Sequence, residues 1–223
     1  YAESLGIRCI NSPEGNRDAV GEHALGLLLS LFNHIAYADN QVRQGIWHRE
    51  ENRGLEIKGK TIGIIGLGNI GSRVARIASA FGMNVIYFPT SGKPHSEEYE
   101  AETDLGKFLG RCDIVSVHCP LNERTNGLIG YNELCRMKES AYIVNMGRGG
   151  IIVEEDLAKA LNDGIIAGAA VDVFTKEPFA ADHPYMKVAD KSRILLTPHI
   201  GWASKEAREC LVRKIAENIR KGF

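Results

Sequence analysis

Apolar residues along the chain follow two regimes. Between Asp18 and Gln44, Val20, Leu27, Leu28, Leu31, Phe32, Ile35, Ala38 and Val42 recur at helical spacing, the period of an amphipathic helix. Asp18 is placed as its N-cap and Gly45 as its stop, which predicts one helix over 18–44. The stripe is broad and contains Gly21 and Gly26, which let another element approach closely. A core helix and a subunit interface both satisfy this pattern, because periodicity does not separate them. Ahead of it, a short apolar run at 7–10 leads into a turn-rich stretch at 11–16.

From Thr61 the pattern changes. Strand-length apolar runs occupy 61–66, 84–88, 113–118, 141–146, 166–173 and 193–197. Helical stretches lie at 70–81, 131–137, 154–162 and 205–220. The runs are continuously apolar rather than alternating, so both faces of each strand are buried. Strands that alternate with helices predict an α/β fold, a doubly wound parallel sheet with helices on both faces.

Composition narrows the function classes. The 223 residues are 44% hydrophobic and 25% charged, which is ordinary for a globular chain. Length alone allows one large domain or one and a half. Lys and Arg number 27 against 28 Asp and Glu, a net charge of -1, so there is no basic excess to suit a nucleic-acid partner. The longest strongly apolar stretch near the start, 24–32, is too short to span a membrane. No signal peptide is visible, and the five cysteines are odd in number without any C-x-x-C pair. The expectation is a cytoplasmic protein with no metal site. The first residue is Tyr1 rather than Met, and the expectation is either a processed chain or a piece of something longer.

Two glycine motifs compete for a phosphate. Residues 54–61 match G-x-x-x-x-G-K-[ST], but a charged segment precedes the match and a strand follows it. A P-loop needs the reverse order, strand then helix, so this match is a decoy. Gly66-Leu67-Gly68-Asn69-Ile70-Gly71 is G-x-G-x-x-G leaving a strand and opening a helix. There Gly66 permits the tight turn, Gly68 the approach of a pyrophosphate, and Gly71 close packing of helix on strand, as in a Rossmann-type fold. The acid expected about 20 positions on, which would bind the ribose hydroxyls, is missing. The second strand ends in Pro89, Thr90, Ser91 and Lys93, with no acid before Glu97. Thr90, Ser91 and Lys93 could receive the 2′-phosphate of NADP instead; NAD stays the default, with NADP open.

Arg148, Asp172, Glu177 and His199 each follow or close a predicted strand. Ligands of an open parallel sheet bind beyond the carboxyl ends of its strands, so these residues are candidates for one cleft. Arg offers a planar fork for a carboxylate, and a Glu beside a His fixes its tautomer for acid–base work. His23, His34, His48, His95 and His183 are given no partner, Trp47 is read as packing, and the charges of 205–214 as a solvated face.

These motifs, taken in order, resemble the D-isomer-specific 2-hydroxyacid dehydrogenases. The likeness runs through 66–71, His118-Cys119-Pro120-Leu121 with Thr125, 145–150, Asp172-Val173-Phe174, Glu177-Pro178 and Thr197-Pro198-His199-Ile200-Gly201. The ending at 199–208 is similar to glycerate dehydrogenases, or hydroxypyruvate reductases. The stretches 13–28 and 49–54 are similar to phosphoglycerate dehydrogenases. The resemblance implies that His199 is the acid–base group, Glu177 its partner and Arg148 the holder of the substrate carboxylate. It implies that Gly66, Gly68, Asn69, Ile70, Gly71, Cys119, Pro120, Thr125, Met146, Gly147 and Gly201 line the cofactor, with Asp172 orienting its nicotinamide. Pro89 stands where the family's ribose-binding acid falls, which leaves the choice of cofactor open.

The resemblance further implies a division: 1–12 as the edge of a largely missing substrate domain, 13–203 as the dinucleotide domain, and 204–223 as a helix returning toward the substrate domain. It moves the 18–44 helix toward an interface in a homodimer. The implied activity interconverts a D-2-hydroxy acid and a 2-keto acid, hydroxypyruvate/glycerate or 3-phosphoglycerate. The alternative is a non-catalytic, corepressor-like module that senses NAD(H).

Overall fold

The computed structural model describes residues 1–9 and 15–221. The expected turn at 11–16 and the end of the run at 7–10 fall largely outside them, as does the final part of 204–223. Seven parallel strands form one sheet: β1 (Thr61–Ile65), β2 (Asn84–Phe88), β3 (Glu100–Ala101), β4 (Ile114–Val117), β5 (Tyr142–Asn145), β6 (Gly168–Val171) and β7 (Ile194–Leu196), in the order β3-β2-β1-β4-β5-β6-β7. The register sets Ile62 beside Ile114, Ile114 beside Tyr142, Tyr142 beside Gly168 and Ala169 beside Ile194.

Successive residues of each strand feed opposite layers, as a period of two requires. Ile62, Ile64, Ile114, Val144 and Ala170 pack beneath α1 (Arg17–Phe32) and α3 (Asn69–Ala80). Ile65, Val115, Val117, Ile143 and Val171 pack beneath α4 (Leu105–Arg111), α5 (Tyr131–Leu134) and α6 (Glu154–Asn162). The expected doubly wound Rossmann-type sheet is therefore the one observed, and five of the six expected strands differ from the observed ones only at their ends.

The helix expected over 18–44 is two helices. α1 ends at Phe32, α2 (Ile35–Arg43) follows, and His34 between them has φ 52°. His34 makes the break possible, because His tolerates the left-handed region better than most residues. α1 buries Val20, Ala24, Leu27, Leu28, Leu31 and Phe32, whereas α2 buries nothing. Asp18 is not the N-cap, a place held by Asn16; its Oδ1 lies 2.9 Å from Arg73 Nε and ties α1 to α3. Gly45 is the stop, at φ 78°.

Two elements escaped the pattern. α4 has only seven residues, started by Asp104 accepting from Lys107 N, 2.9 Å. β3 has two, held at the sheet edge where Arg111 grips Glu100 through two bonds of 2.7 and 2.8 Å. Trp47, read as packing, is 74% exposed. The final helix α7 (Lys205–Arg220) has the expected bounds and buries only Ala207. Among the described residues, no helix is long and apolar enough to cross a membrane.

Candidate active site

The carboxyl ends of the strands carry the site. Gly66, directly after β1, has φ +90°, a conformation that L side chains rarely adopt. A Cβ there would also lie 2.8 Å from the backbone of Cys119, which follows β4. A Cβ on Gly71 would come within 2.2 Å of the Gly66 carbonyl. α3 therefore starts flush against the strand, with Gly68 at its N-cap and open space above it. The first N–H groups of a helix have no partner within it. Those of Asn69, Ile70 and Gly71 thus stand free over that space, with the positive end of the helix dipole behind them. This donor set fits a pyrophosphate. Residues 54–61, the decoy, end as the first residue of β1 with no helix after them.

Beyond β5, β6 and β7 the loops interlock. Asn145 closes the β5 loop, its side chain accepting from Gly147 N and donating to Arg148 O, both 3.1 Å. Asp172, directly after β6, is 1% exposed. Its Oδ1 accepts from the Thr197 hydroxyl at 2.5 Å and Ile200 N at 3.0 Å, and its Oδ2 from Gly201 N at 2.9 Å. Burial raises its pKa, but these donors and His23 outweigh that and hold the carboxyl below its usual range.

His199 sits in the turn so anchored, at φ 53°. Its Nδ1 lies 2.6 Å from Glu177 Oε2, and Glu177 Oε1 accepts from Phe174 N at 2.9 Å. Burial raises the Glu177 pKa as well, yet the bonds from His199 and Phe174 N bring it below the ordinary value. An ionised Glu177 can only accept, so Nδ1 carries its proton and Nε2 is left free for chemistry. A cavity of about 340 Å³ lined by Phe174, Glu177, Pro178, Phe179, Pro198 and His199 adjoins the pair. Arg148 is exposed, and its Nη1 folds onto the Gly147 carbonyl at 2.7 Å. Of the polar residues expected in one cleft, Glu177 and His199 are bonded directly, Asp172 braces the His199 turn, and Arg148 is turned back onto the Gly147 carbonyl.

The residues that build the glycine turn and the histidine–carboxylate pair fall within one family match. The family described as D-isomer specific 2-hydroxyacid dehydrogenase, NAD binding domain, matches residues 25–201. The chain belongs to this family. A glyoxylate reductase from Aeropyrum pernix is 40% identical over 230 residues, covering 98% of this chain and 67% of that protein. A D-3-phosphoglycerate dehydrogenase from Archaeoglobus fulgidus is 38% identical over 220 residues. That match covers 98% of this chain but 41% of the relative, so the chain spans about two fifths of its length. The solved structure of an acyclic imino acid reductase in complex with NADPH and D-Arg superposes with a TM-score of 0.89 at 34% identity, covering 98% of this chain and 69% of that one.

As a member of the 2-hydroxyacid dehydrogenase family, the chain keeps its remaining candidates in two groups. Cys119 is buried, its thiol pushed up to about 11 by that burial, so it is an inert wall of the glycine turn. Pro120 beside it is exposed. Thr125 is buried and donates to the Pro120 carbonyl at 2.6 Å, closing its own loop. Met146 is buried and, with Asp172, fills the space next to Gly201. Beyond β2, Pro89 is buried, Thr90 half-buried, and Ser91 and Lys93 exposed. Gly92 N bonds the Pro89 carbonyl at 2.8 Å, and Ser91 Oγ meets Lys93 N at 3.4 Å.

Three histidines left without partners have them. His95 Nε2 lies 3.1 Å from the Leu67 carbonyl, latching the β2 loop to the glycine turn. His183 Nε2 lies 3.2 Å from Glu154 Oε2. His23 Nε2 lies 3.2 Å from Thr197 Oγ1. Asn145 and Thr197 stand out in the sequence only as members of longer motifs; the local signal for Asn145 is its place two residues before a glycine, as in an Asx turn.

Proposed function

We propose that this chain is the cofactor-binding part of an NAD(P)-dependent oxidoreductase that interconverts a D-2-hydroxy acid and a 2-keto acid, with hydroxypyruvate/glycerate or 3-phosphoglycerate as the substrate pair. The observation that carries this reading is the His199–Glu177 bond of 2.6 Å on the same sheet edge as the glycine turn. When bound, the nicotinamide supplies or accepts the hydride. The chain's own residues do the rest. During reduction, protonated His199 gives its Nε2 proton to the carbonyl oxygen; during oxidation, neutral His199 takes the hydroxyl proton at the same atom. Glu177 keeps Nδ1 protonated and steadies the imidazolium. Arg148, released from the Gly147 carbonyl, holds the substrate carboxylate through its fork and polarises the carbonyl.

Asn69, Ile70 and Gly71 are proposed to hold the pyrophosphate. Cys119, Pro120, Thr125, Met146, Gly147 and Gly201 are proposed to line the rest of the cofactor. The cofactor of this reading is NAD; the lack of an acid at Pro89, with Thr90, Ser91 and Lys93 beyond it, leaves room for NADP. Residues 13–203 form the dinucleotide domain of the proposal. Residues 1–12 are the edge of a substrate domain, and 204–223 return toward it. The 18–44 segment supplies a homodimer contact, supported by the exposure of Ile35 and Val42, with exposed Trp47 just beyond it.

The test is the protein at its full native length, assayed with NADH and NADPH in parallel against hydroxypyruvate, glyoxylate, 3-phosphohydroxypyruvate and pyruvate. Turnover of one or more supports the proposal, and turnover of none overturns it.

A further inference from the structure

α1 turns an almost wholly apolar face to the sheet, with one polar exception beside the site. His23 projects from that helix to the β6 and β7 loops. Its Nε2 lies 3.2 Å from Thr197 Oγ1 and 3.5 Å from Asp172 Oδ1, and its side chain is 24% exposed. A Cβ on Gly201 would meet Met146 Cε at 2.6 Å, Asp172 Oδ2 at 3.0 Å and His23 Cδ2 at 3.3 Å, so the ring packs directly over the turn that bears His199.

Proton positions follow from the acceptors. The Asp172 carboxyl is held below its usual range and only accepts. The Thr197 hydroxyl, 2.5 Å from Oδ1, therefore directs its proton there. Thr197 Oγ1 can then only accept from His23, which must carry a proton on Nε2. The result is a relay that converges on one carboxylate: His23 N–H donates to Thr197 Oγ1, the Thr197 O–H donates to Asp172, and Asp172 also accepts from the N–H groups of Ile200 and Gly201. The His23 bond polarises the Thr197 hydroxyl and strengthens its bond to Asp172, which holds the carboxylate in place for the two amides. The relay ends on the turn that keeps His199 at φ 53°, a conformation that surrounding structure must impose.

We infer that His23 is a positioning residue: through Thr197 and Asp172 it fixes the turn that presents His199. The inference rests on the proposed function for its kinetic consequence, whereas the bracing of the turn stands on the geometry. Glu177 fixes the His199 ring, and the His23 relay fixes its backbone. These are independent restraints, arriving from the β6 loop and from α1.

The experiment compares His23→Leu, which removes the donor, with His23→Gln, which keeps an N–H near the Nε2 position, in the protein at full native length. Thr197→Val cuts the same relay at its middle. Misplacement of a catalytic group costs up to about a hundredfold; His23→Leu is expected to lower kcat about tenfold, with the cofactor KM within about twofold. Amide hydrogen exchange at Ile200 and Gly201 should accelerate about tenfold as the turn loosens. His23→Gln should recover both readouts, and combining His23→Leu with Thr197→Val should add little to either single change.

Unchanged exchange at Ile200 and Gly201 in His23→Leu overturns the inference, as does a Gln variant no better than Leu, or full additivity with Thr197→Val. If the parent reduces no 2-keto acid, the proposed function fails, and amide exchange still decides the role of His23. Should His23→Leu not fold, the exchange of Thr197→Val and His23→Gln against the parent decides it.

Discussion

His199 is restrained twice, through its ring by Glu177 and through its backbone by Asp172, and the two restraints are carboxylates held ionised by the same donors they position. Removing the ring tests the chemistry. His199→Ala should lower kcat by about 10²–10⁴, the usual worth of a placed acid–base group, while cofactor affinity measured by fluorescence titration stays within about threefold. Acid tests the restraints. Both carboxyls lie below their ordinary values of 4.5 for Glu177 and 3.8 for Asp172. Their contribution to stability is thus complete above those values and is lost as pH falls through the lower folded ones. Thermal unfolding followed from pH 7 down to about pH 3 should show a fall in Tm below about pH 4.5, smaller in Asp172→Asn than in the parent. Equal falls would disprove the role of Asp172. The residue types at this scale were legible because glycines, an arginine and a histidine–glutamate set recur at strand ends. His23 and Thr197 were not legible as a pair: they are 174 positions apart, and neither carries a local signal.

At the scale of elements, the turn from β1 into α3 depends on packing without side chains. Gly71→Ala would push a methyl against the Gly66 carbonyl, 2.2 Å from the ideal position. Overpacking of this kind costs about 1–3 kcal/mol, and a Tm lowered accordingly, together with weaker cofactor binding, is the expected outcome; an unaltered Tm would show that the turn relaxes. The strong elements were legible for a related reason. α6 and α7 have the bounds expected from the helical stretches of the sequence, and β2 has the expected bounds. The failures were short or broken elements. β3 has two residues and α4 seven, too few for either period to repeat. One apolar stripe ran past the break at His34 because spacing does not record a single backbone reversal.

For the whole molecule, α2 and its neighbours present Ile35, Val42 and Trp47 to solvent, 56%, 52% and 74% exposed. Exposed apolar side chains serve an interface where they are contiguous, and the proposed homodimer would bury these three. Trp47→Glu should shift the full-length protein toward monomer in sedimentation velocity at micromolar concentration, and an unchanged distribution would place the contact elsewhere. The sequence alone determined the sheet, its two buried faces and the glycine turn, because those follow from local period and from backbone shapes that few residues adopt. It also determined which residue types stand at the carboxyl ends of the strands, because a parallel sheet collects those ends on one edge. Tertiary structure alone decided which of them touch: the His199–Glu177 bond, the Asp172 brace beneath it, Arg148 folded on the Gly147 carbonyl, and His23 reaching in from α1. Those contacts join loops and a helix far apart in the chain, and only the packing of layers brings such groups within hydrogen-bond distance.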